Sequence, residues 1–169
     1  RVYLERYSMT WNVMLDLGGV TARLEGERWH KVNIPDDLAG SIKLVTDYQG
    51  SRFGVESIIG QATDYAPIIE KQLRDEGVID DLTGVIIHSA SRNGAFARVL
   101  YTAVPNEVNL KYKAMAQAHS DFLFVYPLPA VLLEFARRSN LYDGALLFVY
   151  GNQVAVLALR AGQVIAADR

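Results

Sequence analysis

One stretch of this 169-residue chain has the residue types for phosphate chemistry: Leu15-Asp16-Leu17-Gly18-Gly19-Val20-Thr21. A glycine corner exposes main-chain N–H groups and lets an anion approach closely, because no Cβ stands in the way. An aspartate just ahead of it can hold a cation through water. The same residues equally make a plain hairpin corner in which glycine serves only the turn. The other chemically capable residues are dispersed. His30, His88 and His119 lie far apart in the chain and in no short ligand motif, so zinc-type spacing is missing. His30 and His88 fall in strand patterns, and His119 ends a helical stretch, where a cation suits the dipole. Asp36-Asp37 and Asp80-Asp81 are neighbours in turn-like segments, and adjacent side chains usually point apart, which argues against a carboxylate dyad. Cysteine is absent, no Gly-x-Ser-x-Gly elbow occurs, and no glycine is followed by lysine. Thiol chemistry, a hydrolase-type serine and a Walker A loop are therefore excluded.

The elements that must position the corner are strands. Residues 12–18, 20–25 and 28–34 alternate in strand fashion around Gly18-Gly19 and Gly26-Glu27, with His30, Val32 and Ile34 on one face, and Pro35-Asp36-Asp37 ends the meander. Residues 41–48 read as one short strand and 50–54 as a flexible loop. From 55 to 76 the spacing of Ile58, Ile59, Ala62, Tyr65, Ile69 and Leu73 predicts helix, with Asp64 and Pro67 marking a fresh start and Gly77 a C-terminal cap. A hairpin at 85–90 and 95–104 turns at Asn93-Gly94. Pro105 opens a helix whose apolar side is Val108, Tyr112, Met115, Ala116 and His119. A buried-type strand at 122–126, a helix from Pro127/Pro129 through Arg138, and strands at 145–150, 154–160 and 163–167 complete the chain. The pattern is α+β or α/β, with hairpins at both ends and a small ββαβ-like unit between.

Composition narrows the function. Lys plus Arg number 17 against 19 Asp plus Glu, a net charge of −2, so no basic excess marks a nucleic-acid partner. Half the residues are hydrophobic, which suits a folded core. The uncharged stretches 122–133 and 144–159 are broken by Pro127, Pro129 and Gly151-Asn152-Gln153, and a span needs about 20 continuous apolar residues. The start, Arg1-Val2-Tyr3-Leu4-Glu5-Arg6, lacks the apolar core of a signal peptide.

Residues 13–35 resemble the opening of the actin, Hsp70 and sugar-kinase superfamily: strand, Asp-Leu-Gly corner, strand, turn, strand. The segment Leu146 through Val156, around Gly151-Asn152, is similar to that superfamily's second phosphate hairpin. The run Arg98-Val99-Leu100-Tyr101-Thr102-Ala103-Val104, followed by Pro105-Asn106-Glu107, resembles the small subdomain inserted in the cell-division protein FtsA and its pilus relatives. Phe124-Val125-Tyr126-Pro127-Leu128-Pro129-Ala130 looks like the step into the second half. The chain thus resembles the actin-like cytoplasmic proteins of type IV pilus and type II secretion machines, the PilM, GspL and BfpC type. The resemblance implies a mixed α+β, reduced actin-like (RNase H-like) fold with an inserted FtsA-type subdomain. Its parts would be a first lobe at 1–83, the insert at 84–139 and closing strands of a second lobe at 140–169.

Departures from the superfamily pattern shape the functional expectation. Nucleotide-hydrolysing relatives carry Asp two residues before the second hairpin's glycine, where this chain has Val149, and valine cannot position a metal-associated water. No catalytic carboxylate stands out on the final strands. The expectation is a non-enzymatic scaffold without catalytic, cofactor-binding or metal residues, at the cytoplasmic face of the bacterial inner membrane. Its implied partners are the hexameric pilus or secretion assembly ATPase and other inner-membrane platform proteins, with membrane anchoring through a segment outside this sequence; homodimerisation stays open. Lys111 and Lys113 beside Tyr112, or Arg137-Arg138, are candidate docking rims, and an exposed strand edge is a candidate peptide acceptor. The alternatives are a truncated actin-like ATP-binding protein of the PilM/FtsA type, in which Asp16 would matter, and a small-molecule kinase fragment.

Overall fold

The computed structural model describes residues 11–32, 40–80, 82–119 and 122–169. The Pro35-Asp36-Asp37 stop, Asp81 and the side chain of His119 lie outside the described residues. The first sheet begins with β1 (Trp11–Leu17), β2 (Val20–Glu25) and β3 (Arg28–Lys31), an antiparallel meander turning at Gly18-Gly19 and Gly26-Glu27. β4 (Ser41–Thr46) then runs parallel to β1, with Asp16 opposite Thr46. This central strand buries Ile42 and Leu44 fully, as a strand flanked on both sides must.

The chain next leaves the sheet. β5 (Arg52–Ile59), a single 3-10 turn (Ala62–Asp64), α1 (Tyr65–Asp75), β6 (Gly84–Asn93) and β7 (Phe96–Val104) follow. β5, β7 and β6 form a separate antiparallel sheet in that order. α2 (Asn106–His119) crosses back, and β8 (Leu123–Pro127) completes the first sheet by pairing in parallel with β4. α3 (Leu128–Arg138) leads to the third sheet, formed by β9 (Gly144–Tyr150), β10 (Gln153–Arg160) and β11 (Gln163–Asp168), another antiparallel meander.

Two expectations change. Residues 52–59 are neither flexible loop nor helix but strand. Ile58 is 2% exposed and its neighbour Ile59 65%, the alternation of a strand, and Phe53 is buried. Gly54 accepts the Tyr101 ring so closely that a Cβ there would lie 3.3 Å from the hydroxyl. Helical spacing holds only from Tyr65, whose face Tyr65, Ile69 and Leu73 is buried against the β5–β7–β6 sheet. Residues 84–139 are also not gathered in one unit. β6 and β7 pair with β5, whereas β8 belongs to the first sheet, because its register with β4 runs from Ile42–Leu123 to Thr46–Pro127. What is inserted lies between β4 and β8.

The expected Gly77 cap forms by main-chain hydrogen bonding, and α3 ends in a cap of the same kind. Gly77 takes φ +69°, its N–H donates to the Arg74 carbonyl, and the Val78 N–H donates to Leu73. Asn140 ends α3 in the same way at φ 54°, with Asn140 donating to Arg137 and Leu141 to Ala136. Both are Schellman endings, using the two residue types that best tolerate the left-handed region. α3 is the wedge of the molecule: Leu128, Leu132, Leu133 and Ala136 are buried with Leu17 of the first sheet, Phe53 and Leu100 of the second, and Ala155, Leu157 and Leu159 of the third. α2 covers the first sheet's other face through Tyr112 and Met115, against Met14, Ile42 and Leu44. Among the described residues, no helix is long and apolar enough to cross a membrane.

Candidate functional site

The first-sheet corner and the third-sheet hairpin meet. Because β1 and β4 are parallel neighbours, their C-terminal ends bring Asp16 and Asp47 to the same end of the sheet, next to the Gly18-Gly19 turn. Both carboxylates are buried. Each is engaged by a cation of this chain.

Asp16 Oδ2 accepts from Lys111 Nζ at 3.1 Å and from the Tyr112 hydroxyl at 2.9 Å. The Tyr112 oxygen also lies 2.7 Å from Thr46 Oγ1. Burial, the main cause, pushes the Tyr112 phenol above its ordinary range, and the Asp16 charge acts in the same direction. Lys111 Nζ lies 5.3 Å from the centre of the Tyr112 ring. Tyr112 is therefore core, not an exposed docking contact. Lys111 is drawn to Asp16, so the expected rim of Lys111, Tyr112 and Lys113 does not form as a unit.

Asp47 faces the turn itself. Its Oδ2 accepts from the Gly18 N–H at 3.2 Å and lies 3.3 Å from Arg169 Nη1. Arg169 also donates from Nη1 to the Asp47 carbonyl at 2.7 Å and from Nη2 to the Ser51 carbonyl. Tyr150, at the β9–β10 turn, lays its ring on Gly18, where a Cβ would lie 3.4 Å from Cδ2. The Tyr150 hydroxyl is buried without a hydrogen bond of normal geometry, although Asp47 and Arg169 are near enough to act on it electrostatically. Burial, followed by the Asp47 charge, pushes this phenol up to about 12. Val149 is 70% exposed on the outer face of β9, so the residue facing the corner is Tyr150, one position on.

These residues do not fit a nucleotide phosphate at the corner. The Gly18 N–H is committed to a carboxylate, an aromatic ring rests on the glycine, and the neighbouring cations sit on buried aspartates. The other expected residues fall elsewhere. His88 Nε2 lies 2.7 Å from Thr102 Oγ1 inside the second sheet, whereas His30 is exposed, 3.9 Å from Glu25. Asp80 caps its own loop, with Oδ1 accepting from the Leu82 N–H and the Thr83 hydroxyl. Among the described residues no group of three or more His, Cys, Asp or Glu gathers for a metal. Arg138 is paired with Glu134 at 2.7 Å and lines an open apolar groove with Tyr126, Ala130, Val131 and Phe135. Sequence reasoning missed Asp47, Tyr150 and Arg169. Only the parallel pairing of β1 with β4 could have pointed to Asp47, and nothing local marks Arg169.

A meander feeding parallel strands in the order β3-β2-β1-β4-β8, a unit inserted between β4 and β8, and a second meander after α3 define a mixed α+β, actin-like fold of the RNase H type. The cytoplasmic domain of EpsL, an inner-membrane component of the type II secretion system of Vibrio cholerae, aligns with a TM-score of 0.56 over 94% of this chain and 71% of its own, at 12% identity. A Bacteroides thetaiotaomicron protein of actin-like ATPase fold and unknown function aligns over 99% of this chain and 72% of its own, with a TM-score of 0.47 and 7% identity. At such identities the likeness is one of fold. No family model and no curated protein matches the sequence.

Proposed function

We propose that this chain is a non-enzymatic scaffold domain of a type IV pilus or type II secretion platform, working at the cytoplasmic face of the inner membrane. It docks the hexameric assembly ATPase and other platform proteins. The observation that carries this reading is the fold likeness to the cytoplasmic domain of EpsL over nearly the whole chain. The corner geometry supports it, since both buried carboxylates serve internal ion pairs. A surface suited to docking lies at the edge of the first sheet. β8 is an edge strand without a charged residue, and Phe135 of α3, 58% exposed, stands beside Tyr126 in the open groove. Uncharged edges and exposed aromatic clusters are features that proteins normally cover.

The test is direct binding of the purified domain to the assembly ATPase of its own system, by calorimetry and co-elution. A complex is expected, weakened at least tenfold by Phe135→Ser with Tyr126→Ser, changes at exposed positions that leave the core intact. Failure of the purified proteins to associate would refute the reading.

A further inference from the structure

The main-chain N–H of Gly18 and the guanidinium of Arg169 converge on one point, and the oxygen at that point belongs to Asp47. Gly18 and Gly19 both adopt left-handed conformations, φ 59° and 76°, which only glycine reaches without strain and which set the direction of the Gly18 N–H. A main-chain donor beside an arginine is a donor set proteins use for phosphate and carboxylate oxygens. The surroundings are built. Asp47 is 3% exposed, the Ser51 hydroxyl donates to its carbonyl at 2.7 Å, and the Tyr150 ring closes over Gly18. Arg169, the residue that follows the third sheet's final strand, also grips the Asp47 and Ser51 carbonyls. The point of convergence therefore joins the first sheet to the third.

We infer that this corner is an anion seat occupied by the chain's own Asp47 carboxylate, which takes the place of an external phosphate-type ligand and latches the two sheets together. The seat is complete in donors and filled from within. Shortening Asp47 to alanine leaves the Gly18 N–H and Arg169 facing a vacated, carboxylate-sized space, and a small oxyanion from solution then fits it. This inference stands apart from the docking reading, and either can fail alone.

The experiment is chemical rescue. Thermal unfolding of wild type, Asp47→Ala and Asp47→Ala/Arg169→Met is followed with and without about 50 mM inorganic phosphate at matched ionic strength, where a ligand with a Kd near 1 mM raises Tm by several degrees. Asp47→Ala is expected to melt below wild type and to regain several degrees in phosphate. Wild type and the double variant should show no such gain. The inference is overturned if folded Asp47→Ala gains no more than wild type, or if the double variant gains as much as Asp47→Ala. Should Asp47→Ala not fold, Asp47→Ser takes its place under the same criteria. The wild-type Gly18 amide resonance supplies an independent measure: it should stay in place when phosphate or Mg-ATP is added, and a saturable shift overturns the inference.

Discussion

His88 makes the stability of this domain depend on mildly acidic pH in a calculable way. It is the extra residue of a bulge, where the β6–β7 register shifts between Ile87 and Ser89, and its ring meets the buried Thr102 hydroxyl. Burial lowers its pKa from the ordinary 6.5 to about 4. Between those values the unfolded chain binds a proton that the folded one refuses. Stability is therefore full above the unfolded value, falls as pH drops through the interval, and reaches its complete loss below the folded value. A separation of that size is worth about 3 kcal/mol, with a limiting slope of about 1.4 kcal/mol per pH unit. Carboxylates titrate at the acid end, so the measurement is a difference. Urea unfolding of wild type and His88→Gln is compared at intervals from about pH 7.5 to pH 4. Glutamine keeps a hydrogen-bonding group for Thr102 and removes the proton. The wild-type curve should lose about 3 kcal/mol more than the variant over this range. Parallel curves would refute the partly buried, neutral histidine.

Two tyrosines at the same site should behave oppositely. Tyr112→Phe removes the hydroxyl serving Asp16 and Thr46 and should cost about 2–3 kcal/mol by denaturant unfolding. Tyr150→Phe removes a buried hydroxyl without a proper partner and should be neutral or stabilise by up to about 1 kcal/mol in the same assay. Gly77→Ala meets no atom within 4 Å yet forces alanine to φ +69°, so calorimetric unfolding should show a loss of about 1–2 kcal/mol from backbone conformation alone.

Where local chemistry decides structure, the sequence was legible. Glycine corners, the proline starts of α2 and α3, the Gly77 cap and the closing meander all lie close to where pattern placed them. The β6–β7 turn shifts by one residue: Asn93 pairs with Phe96, leaving Gly94-Ala95 at the tip with Gly94 at φ 65°. Residues 52–59 were misread because Ile58 and Ile59 extend the helical spacing of Tyr65, Ile69 and Leu73, and only the partner strand β7 decides between the two periods. The site was half legible. Asp16 and its glycines are contiguous in the chain and were found. Asp47, Lys111, Tyr150 and Arg169 reach the corner through parallel pairing, a crossover helix and a second meander, none of which leaves a local mark.

The pairing of β4 with β8 also governs the order in which the chain can be assembled. Ile42 and Leu123 are partners from opposite sides of the whole inserted unit. Joining them across a disordered spacer carries a loop-closure cost that grows with the logarithm of its length. The β6–β7 hairpin closes at its own two-residue turn, so its contacts form without that cost. β5 and α1 can then add to it, replacing much of the disordered spacer with a folded body. Loop-closure cost therefore favours nucleation in the insert, with the parallel strands condensing around it afterwards. The Asp16 and Asp47 corner draws on residues at the ends of β1, β4 and β11 and on α2, so it carries the largest share of that long-range cost.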